Sequence, residues 1–199
     1  MDSDNRRVGA KHEIAHALAY IAHGLHFSFV ELDEVGGGQV HVNPRRIRKD
    51  WLACVAMAGP AADFYHRLIC FAEDEVIREY VEGWAAISDL IDLPDASEMR
   101  SDEATALGTG HMRFAFGWGG GFYQSNHDLI GEIAQELLDS DGRLEYDTVY
   151  GLAHGRINPP DEPTQMRLLL KLQPYAAQIE DLQDHIHDVL TLPAPSWAD

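Results

Sequence analysis

Five residues near the N-terminus constrain this chain more than any others: His12-Glu13-Ile14-Ala15-His16. Histidines four places apart share one metal ion when the segment is helical, because a helix puts positions i and i+4 on one face, about 6 Å apart along its axis. The flanking Ala10, Ala15, Ala17 and Ala19 are small and apolar, as a buried helix requires. Glu13 projects to one side of the pair, where it can take a proton from an attacking water. His-Glu-x-x-His on a helix is the pattern of metal-assisted hydrolysis, with zinc as the ion. A chance match on a solvated helix is the bland alternative, and the alanine-rich flanks argue against it.

A catalytic zinc needs a third protein ligand. The extended form of the motif would put glycine and histidine three and six places beyond His16, where this chain has Ala19 and Ala22. His23 misses by one place and lies about 10 Å further along a straight helix, too far to share the ion. Glu31 and Glu34 fall in a strand and a turn. They remain outside candidates for the third ligand.

Thirty-three acids against fifteen bases give the 199 residues a net charge of −18. Such a surface repels phosphate backbones and anionic membranes, which argues against nucleic acid and membrane partners. The most apolar stretch, Trp51–Ala62, is too short to cross a bilayer and contains Gly59 and Pro60. The opening residues lack the apolar run of a secretory leader. Two cysteines, Cys54 and Cys70, exclude a disulfide scaffold and read as buried free thiols. A cytoplasmic protein is the expectation.

Hydrophobic periodicity and punctuation predict a mainly α fold with a small β-sheet, an α+β class. A first helix runs from Asp4 or Asn5 to about His23 and is stopped by Gly24. Strands follow at Phe27–Leu32 and Gln39–Val42, joined by a turn through Gly36-Gly37-Gly38. A long helix from Trp51 to about Phe71 is expected to kink or restart at Gly59-Pro60. Another spans about Glu75–Leu93, after which Asp95 and Glu98 have capping-box spacing. Residues 108–124 mix six glycines with aromatics and read as a loop packing its rings on the body. They do not form a nucleotide fingerprint, since Arg113 stands where the third glycine belongs. Helices follow at Asn126–Leu138 and Asp147–Ala153. From Pro163 to Leu192 the chain is helical with a break near Pro174, and Leu168, Leu172, Tyr175, Ile179, Leu182, Ile186 and Val189 form an apolar seam. That seam needs either the chain's own body or another copy.

Lys11-His12-Glu13-Ile14-Ala15-His16-Ala17 resembles the metal-binding helix of the FtsH family of ATP-dependent zinc proteases. The likeness extends to Phe29-Val30-Glu31-Leu32 with Gly37-Gly38-Gln39-Val40, similar to that family's strand, glycine turn and edge strand. Met57-Ala58-Gly59-Pro60-Ala61-Ala62-Asp63 is similar to a second family helix, with Pro60 as a departure. Residues 128–138 with Leu144-Glu145-Tyr146-Asp147 and Val149 resemble its closing helices. The resemblance spans about residues 8–153.

It implies an FtsH-type peptidase domain over residues 1–158, followed by a helical extension over 159–199 that packs on it or on another copy. It also implies a third zinc ligand from an aspartate in a small-residue context. Asp89 in Ala85-Ala86-Ile87-Ser88-Asp89-Leu90 is the favoured match, with Asp92 and Asp102 as rivals. His12, His16 and Asp89 would bind Zn2+ and Glu13 would be the general base. An extended polypeptide substrate would pair with Gln39, Val40, His41 and Val42. The family's nucleotide-hydrolysing domain and membrane helix have no counterpart in these residues, so the expected substrates are flexible or already unfolded chains. The family works as rings, which makes a homo-oligomer the expected assembly. The rival reading is a non-catalytic zinc-binding protein used for regulation or interaction.

Overall fold

The computed structural model describes residues 2–42, 46–91 and 101–191. Helix α1 (Asp2–Ala22) carries the histidine motif and is enclosed along its middle: Ala10, Ile14, Ala15, Ala17, Leu18 and Ala19 are fully buried. Small side chains let neighbouring elements approach it closely. The helix ends where Gly24 takes a positive φ of 66°, the conformation that glycine adopts without strain.

Strands β1 (Phe29–Leu32) and β2 (Gly38–His41) form an antiparallel hairpin in which Phe29 faces His41 and Leu32 faces Gly38. Its turn is held by the Asp33 carboxylate, which accepts the backbone N–H groups of Val35 (2.9 Å) and Gly37 (2.8 Å). A third strand, β3 (Arg143–Glu145), pairs with the other side of β1, so the order is β2-β1-β3 and β2 is an edge. Val30 and Leu32 point into the core that contains α1. On the opposite face the His41 ring stacks on Phe29 and hydrogen-bonds the Glu31 carboxylate at 2.6 Å, while the Arg143 guanidinium lies over the Phe29 ring.

Helix α2 (Lys49–Arg67) passes through Gly59-Pro60 without a break, contrary to the expected restart. Its faces are buried from Ala53 to Ala62, so packing outweighs the hydrogen bond that Pro60 removes. Helix α3 (Glu73–Ile91) follows, and then the short α4 (Asp102–Gly108), capped by the Ser101 hydroxyl accepting the Ala104 N–H at 3.1 Å. The turn between α2 and α3 leaves Cys70 exposed, whereas Cys54 is buried as expected.

Gly108 ends α4 and Gly110 lies in the turn that follows, at a positive φ of 78°, but from Met112 onward the glycine-rich stretch is helix, not loop. Helix α5 (Met112–Asp139) absorbs it together with the predicted Asn126–Leu138. The glycines are contact points: a Cβ on Gly119 would lie 2.8 Å from the Met57 carbonyl oxygen, and one on Gly121 would lie 2.8 Å from that of Asp161. A Cβ on Gly120 would meet the Leu168 side chain. Tertiary packing here overrides the poor helix propensity of glycine.

Helices α6 (Tyr146–Ala153), α7 (Glu162–Leu172) and α8 (Ala176–Thr191) complete the described residues, with a short 3₁₀ turn, Gln173–Tyr175, at the predicted break. Leu168, Leu172, Ile179 and Ile186 are fully buried in a cluster with Met57, Phe64, Trp84, Leu107 and Phe116. As far as Ile186, the C-terminal seam is thus covered by the chain's own body. Among the described residues no helix is long and apolar enough to cross a membrane. The predicted Asp95–Glu98 cap lies outside the described residues.

Candidate metal centre

Three elements converge on one point. Helix α1 presents His12 and His16 from one face, and α2 crosses beneath them with Gly59 at the crossing. A Cβ on Gly59 would fall on the Nε2 atoms of both imidazoles, so only glycine leaves room for them. The first turn of α4 brings Asp102 in from above.

Each imidazole is oriented by its far nitrogen. His12 Nδ1–H donates to Asp63 Oδ2 at 2.7 Å, and His16 Nδ1–H donates to the buried Val55 carbonyl at 2.7 Å. A carbonyl only accepts, so the His16 proton sits on Nδ1 and the Nε2 lone pair turns inward. The two Nε2 atoms lie 3.0 Å apart, and Asp102 Oδ2 is 3.2 Å from that of His12 and 3.1 Å from that of His16. Three electron-rich atoms in a near-equilateral triangle repel one another unless a proton or a cation joins them. A tetrahedral zinc with bonds of about 2.0–2.1 Å spaces its ligand atoms about 3.3–3.4 Å apart, so the triangle fits with shifts of a few tenths of an ångström. Among the described residues this is the group of histidine and acidic side chains that could hold a metal ion.

The electrostatics record the same crowding. Burial alone would lower the His12 imidazole, but hydrogen bonds with Asp102 and Asp63 outweigh it and raise its pKa well above the ordinary histidine value. His16 moves the same way: burial lowers it and the Asp102 charge more than compensates. Burial likewise opposes ionisation of Asp102, but the two histidines dominate and hold its carboxyl well below the usual range. Glu13 is 7% exposed, and burial raises its pKa against the pull of His16 and His12. A carboxylate with an elevated pKa beside the imidazoles suits proton transfer near neutral pH.

Glu13 is sheltered by the edge strand. A Cβ on Gly38 would lie 2.6 Å from Glu13 Cγ, so the start of β2 rests directly on the Glu13 side chain. On one side of Glu13 a cleft of about 560 Å³ is lined by His16, Tyr20, Gln39, Val40 and residues of α4. On the other side a cleft of about 520 Å³ runs past His12 and Asp63 along Gly36-Gly37-Gly38. Glu13 and Gly38 line both, so the edge strand borders a trough on each side of the site.

Of the residues expected from sequence, His12, Glu13 and His16 come together, and Gln39 and Val40 line the cleft. His41 ends β2 with its ring stacked on Phe29, and Val42 lies exposed just beyond the strand. The carboxylate against both imidazoles is that of Asp102, one of the two rivals. Asp89 lies near the C-terminal end of α3 with its side chain outside the described residues, and Asp92 lies outside them too. Sequence reasoning did not assign Asp63, Gly59 or Gly38 to the site. The signal for the first two is their i, i+4 spacing, which puts a small residue and an acid on one face of α2.

No family model matches. Nor does any curated protein or solved structure. The functional reading therefore rests on the motif, the geometry and the resemblance carried by the residues quoted above.

Proposed function

We propose that this protein is a zinc-dependent metallopeptidase of the FtsH peptidase type, hydrolysing peptide bonds in flexible or unfolded polypeptides in the cytoplasm without an unfolding motor of its own. The observation that carries the reading is the convergence of His12, His16 and Asp102 within 3.2 Å of one another beside a buried Glu13. The three would hold the ion, with Asp63 and the Val55 carbonyl fixing the imidazole orientation. Bound there, zinc would polarise the scissile carbonyl and acidify the attacking water.

The chain's own groups account for the rest. An extended substrate pairs its backbone with the free edge of β2, which lays it across Glu13. Glu13 accepts the proton of the attacking water and delivers it to the leaving amine. Burial under Gly38 limits competing bulk water around that carboxylate. The net charge of −18 supports a polypeptide rather than a nucleic acid as substrate.

The test is metal analysis together with proteolysis. Protein purified without added zinc should carry about one zinc per chain, and the His12→Ala, His16→Ala double variant should carry none. Glu13→Gln should keep the metal and lose turnover on an unfolded protein substrate. Unchanged metal content in the double variant would remove the site. A zinc-loaded wild type as inert as Glu13→Gln on peptides and unfolded proteins would leave a non-catalytic zinc protein.

A further inference from the structure

Tyr20 carries a hydroxyl that the fold does not use. Its ring belongs to the core, 8% exposed and edge-on to Phe27, a packing role that phenylalanine would fill as well. The hydroxyl makes no hydrogen bond among the described residues. Tyr20 nevertheless lines the cleft that holds Glu13, His16, Gln39 and Val40. A phenolic O–H at a cleft wall is a donor in search of an acceptor.

Helix geometry sets where that donor lies relative to the base. Glu13 and Tyr20 are seven places apart on α1, so they share one face, about 10 Å apart along the axis, with His16 between them. Side chains on a helix lean toward its N-terminus, which tips the Tyr20 ring back over the turn that carries His16. The base and the phenol thus flank His16 from opposite directions along the helix. The Asp102 carboxylate, which lies against both imidazoles, also acts on the phenol: burial first, and then that charge, raise its pKa, so the proton stays on oxygen.

We propose that the Tyr20 hydroxyl is a catalytic hydrogen-bond donor that holds the negative charge developing on the carbonyl oxygen as water attacks the scissile peptide bond. The inference rests on the peptidase reading. A substrate paired along Gly38–His41 lays its backbone in the cleft between Glu13 and Tyr20. Water adds to the carbonyl carbon, Glu13 takes the water's proton, and the π pair of the C=O bond moves onto oxygen. Tyr20 donates a hydrogen bond to that oxygen and keeps its proton. The pair then returns to re-form C=O, the C–N bond breaks, and Glu13 delivers its proton to the leaving amine. The oxygen carries its full charge only near the transition state, so the hydrogen bond speeds turnover more than it tightens substrate binding.

The experiment compares wild type with Tyr20→Phe, which removes one oxygen atom and keeps the ring. On a fluorogenic peptide, with both full chains zinc-loaded, kcat should fall about 10²-fold while KM, zinc content and melting temperature hold. A second readout needs no turnover: binding of a phosphinic peptide, whose tetrahedral anionic group replaces the scissile amide, measured by titration calorimetry. Tyr20→Phe should weaken that binding about tenfold or more. The matching amide peptide, bound to zinc-loaded Glu13→Gln so that it is not cleaved, should bind equally with and without the Tyr20 hydroxyl. Cleavage by Tyr20→Phe at the wild-type rate overturns the donor role and leaves the peptidase reading standing. A fall in kcat that comes with lost zinc or a lower melting temperature overturns it too, because the hydroxyl then serves the structure. Phosphinic-peptide binding that depends on Tyr20, with no cleavage by wild type, keeps the hydroxyl as a donor to a tetrahedral anion and removes the peptidase reading. Equal phosphinic-peptide binding together with no cleavage removes both.

Discussion

Helices α2 and α5 both carry glycine in buried interior turns, for different reasons. On α2, Gly59 faces the Nε2 atoms of His12 and His16, and the space that it leaves is filled by the two imidazoles. On α5, Gly119, Gly120 and Gly121 face the Met57 carbonyl, the Leu168 side chain and the Asp161 carbonyl, and the space is filled by neighbouring elements. One glycine serves a site and the others serve close helix packing. Substitution separates the two roles, because damage at the first should appear in metal binding and damage at the second in stability.

The largest effect within the site is expected from Glu13→Gln. Removing only the base should lower kcat by about 10²–10⁴-fold while zinc stoichiometry and melting temperature hold, as measured by peptide hydrolysis and metal analysis. Gly59→Ala should come next: a methyl group where both Nε2 atoms sit should abolish stoichiometric zinc binding, with secondary structure by circular dichroism retained. A Gly59→Ala protein that still binds zinc at wild-type affinity would break the comparison at its functional end.

Asp63→Asn sharpens the same end. Its carboxylate accepts the His12 Nδ1–H at 2.7 Å, and removing the charge should weaken zinc affinity about 10–100-fold in competition with a chromophoric chelator. At the packing end, Gly119→Ala pushes a methyl group against the backbone of α2 and should cost about 1–3 kcal/mol in denaturant unfolding. Its folded fraction should bind zinc as the wild type does.

The smallest effect concerns pH. The raised histidines of the metal-free protein contribute stability that is complete below the ordinary histidine pKa of about 6.5 and is lost as pH rises through their folded values. Buried Glu13, also raised, acts in the same direction from lower pH. Zinc competes with those protons, so the rise in melting temperature on adding zinc should grow from pH 6 to pH 8. A zinc-induced shift that is flat or declining over that range would contradict the assignment of both imidazoles.

The legible parts of this molecule are those set by local spacing. His12, Glu13 and His16 lie within one helical turn and a half, so their relation follows from helix geometry alone. The Gly36-Gly37-Gly38 turn and the break near Pro174 are likewise properties of neighbouring residues. The apolar seam on α7 and α8 was visible as a period, but what covers it was not, because periodicity names a buried face without naming its partner. Helix α5 was hidden because its glycines weaken local helix preference, and their gain comes from α2, α7 and the segment before α7. Strand β3 is only three residues long and forms no pattern of its own. Asp102 stood among the candidates, but its place depends on how α4 returns to α1 across 86 residues from His16. Asp63 and Gly59 reach α1 across a helix crossing, which no local pattern encodes.

The central claim is that His12, His16 and Asp102 hold one metal ion. A crystal of the zinc-loaded protein, with diffraction recorded on both sides of the zinc absorption edge, tests it most directly. The account predicts one anomalous peak per chain, about 2.0–2.2 Å from His12 Nε2, His16 Nε2 and an Asp102 carboxylate oxygen. A peak bound through another third ligand, or no peak between the two imidazoles, would contradict it.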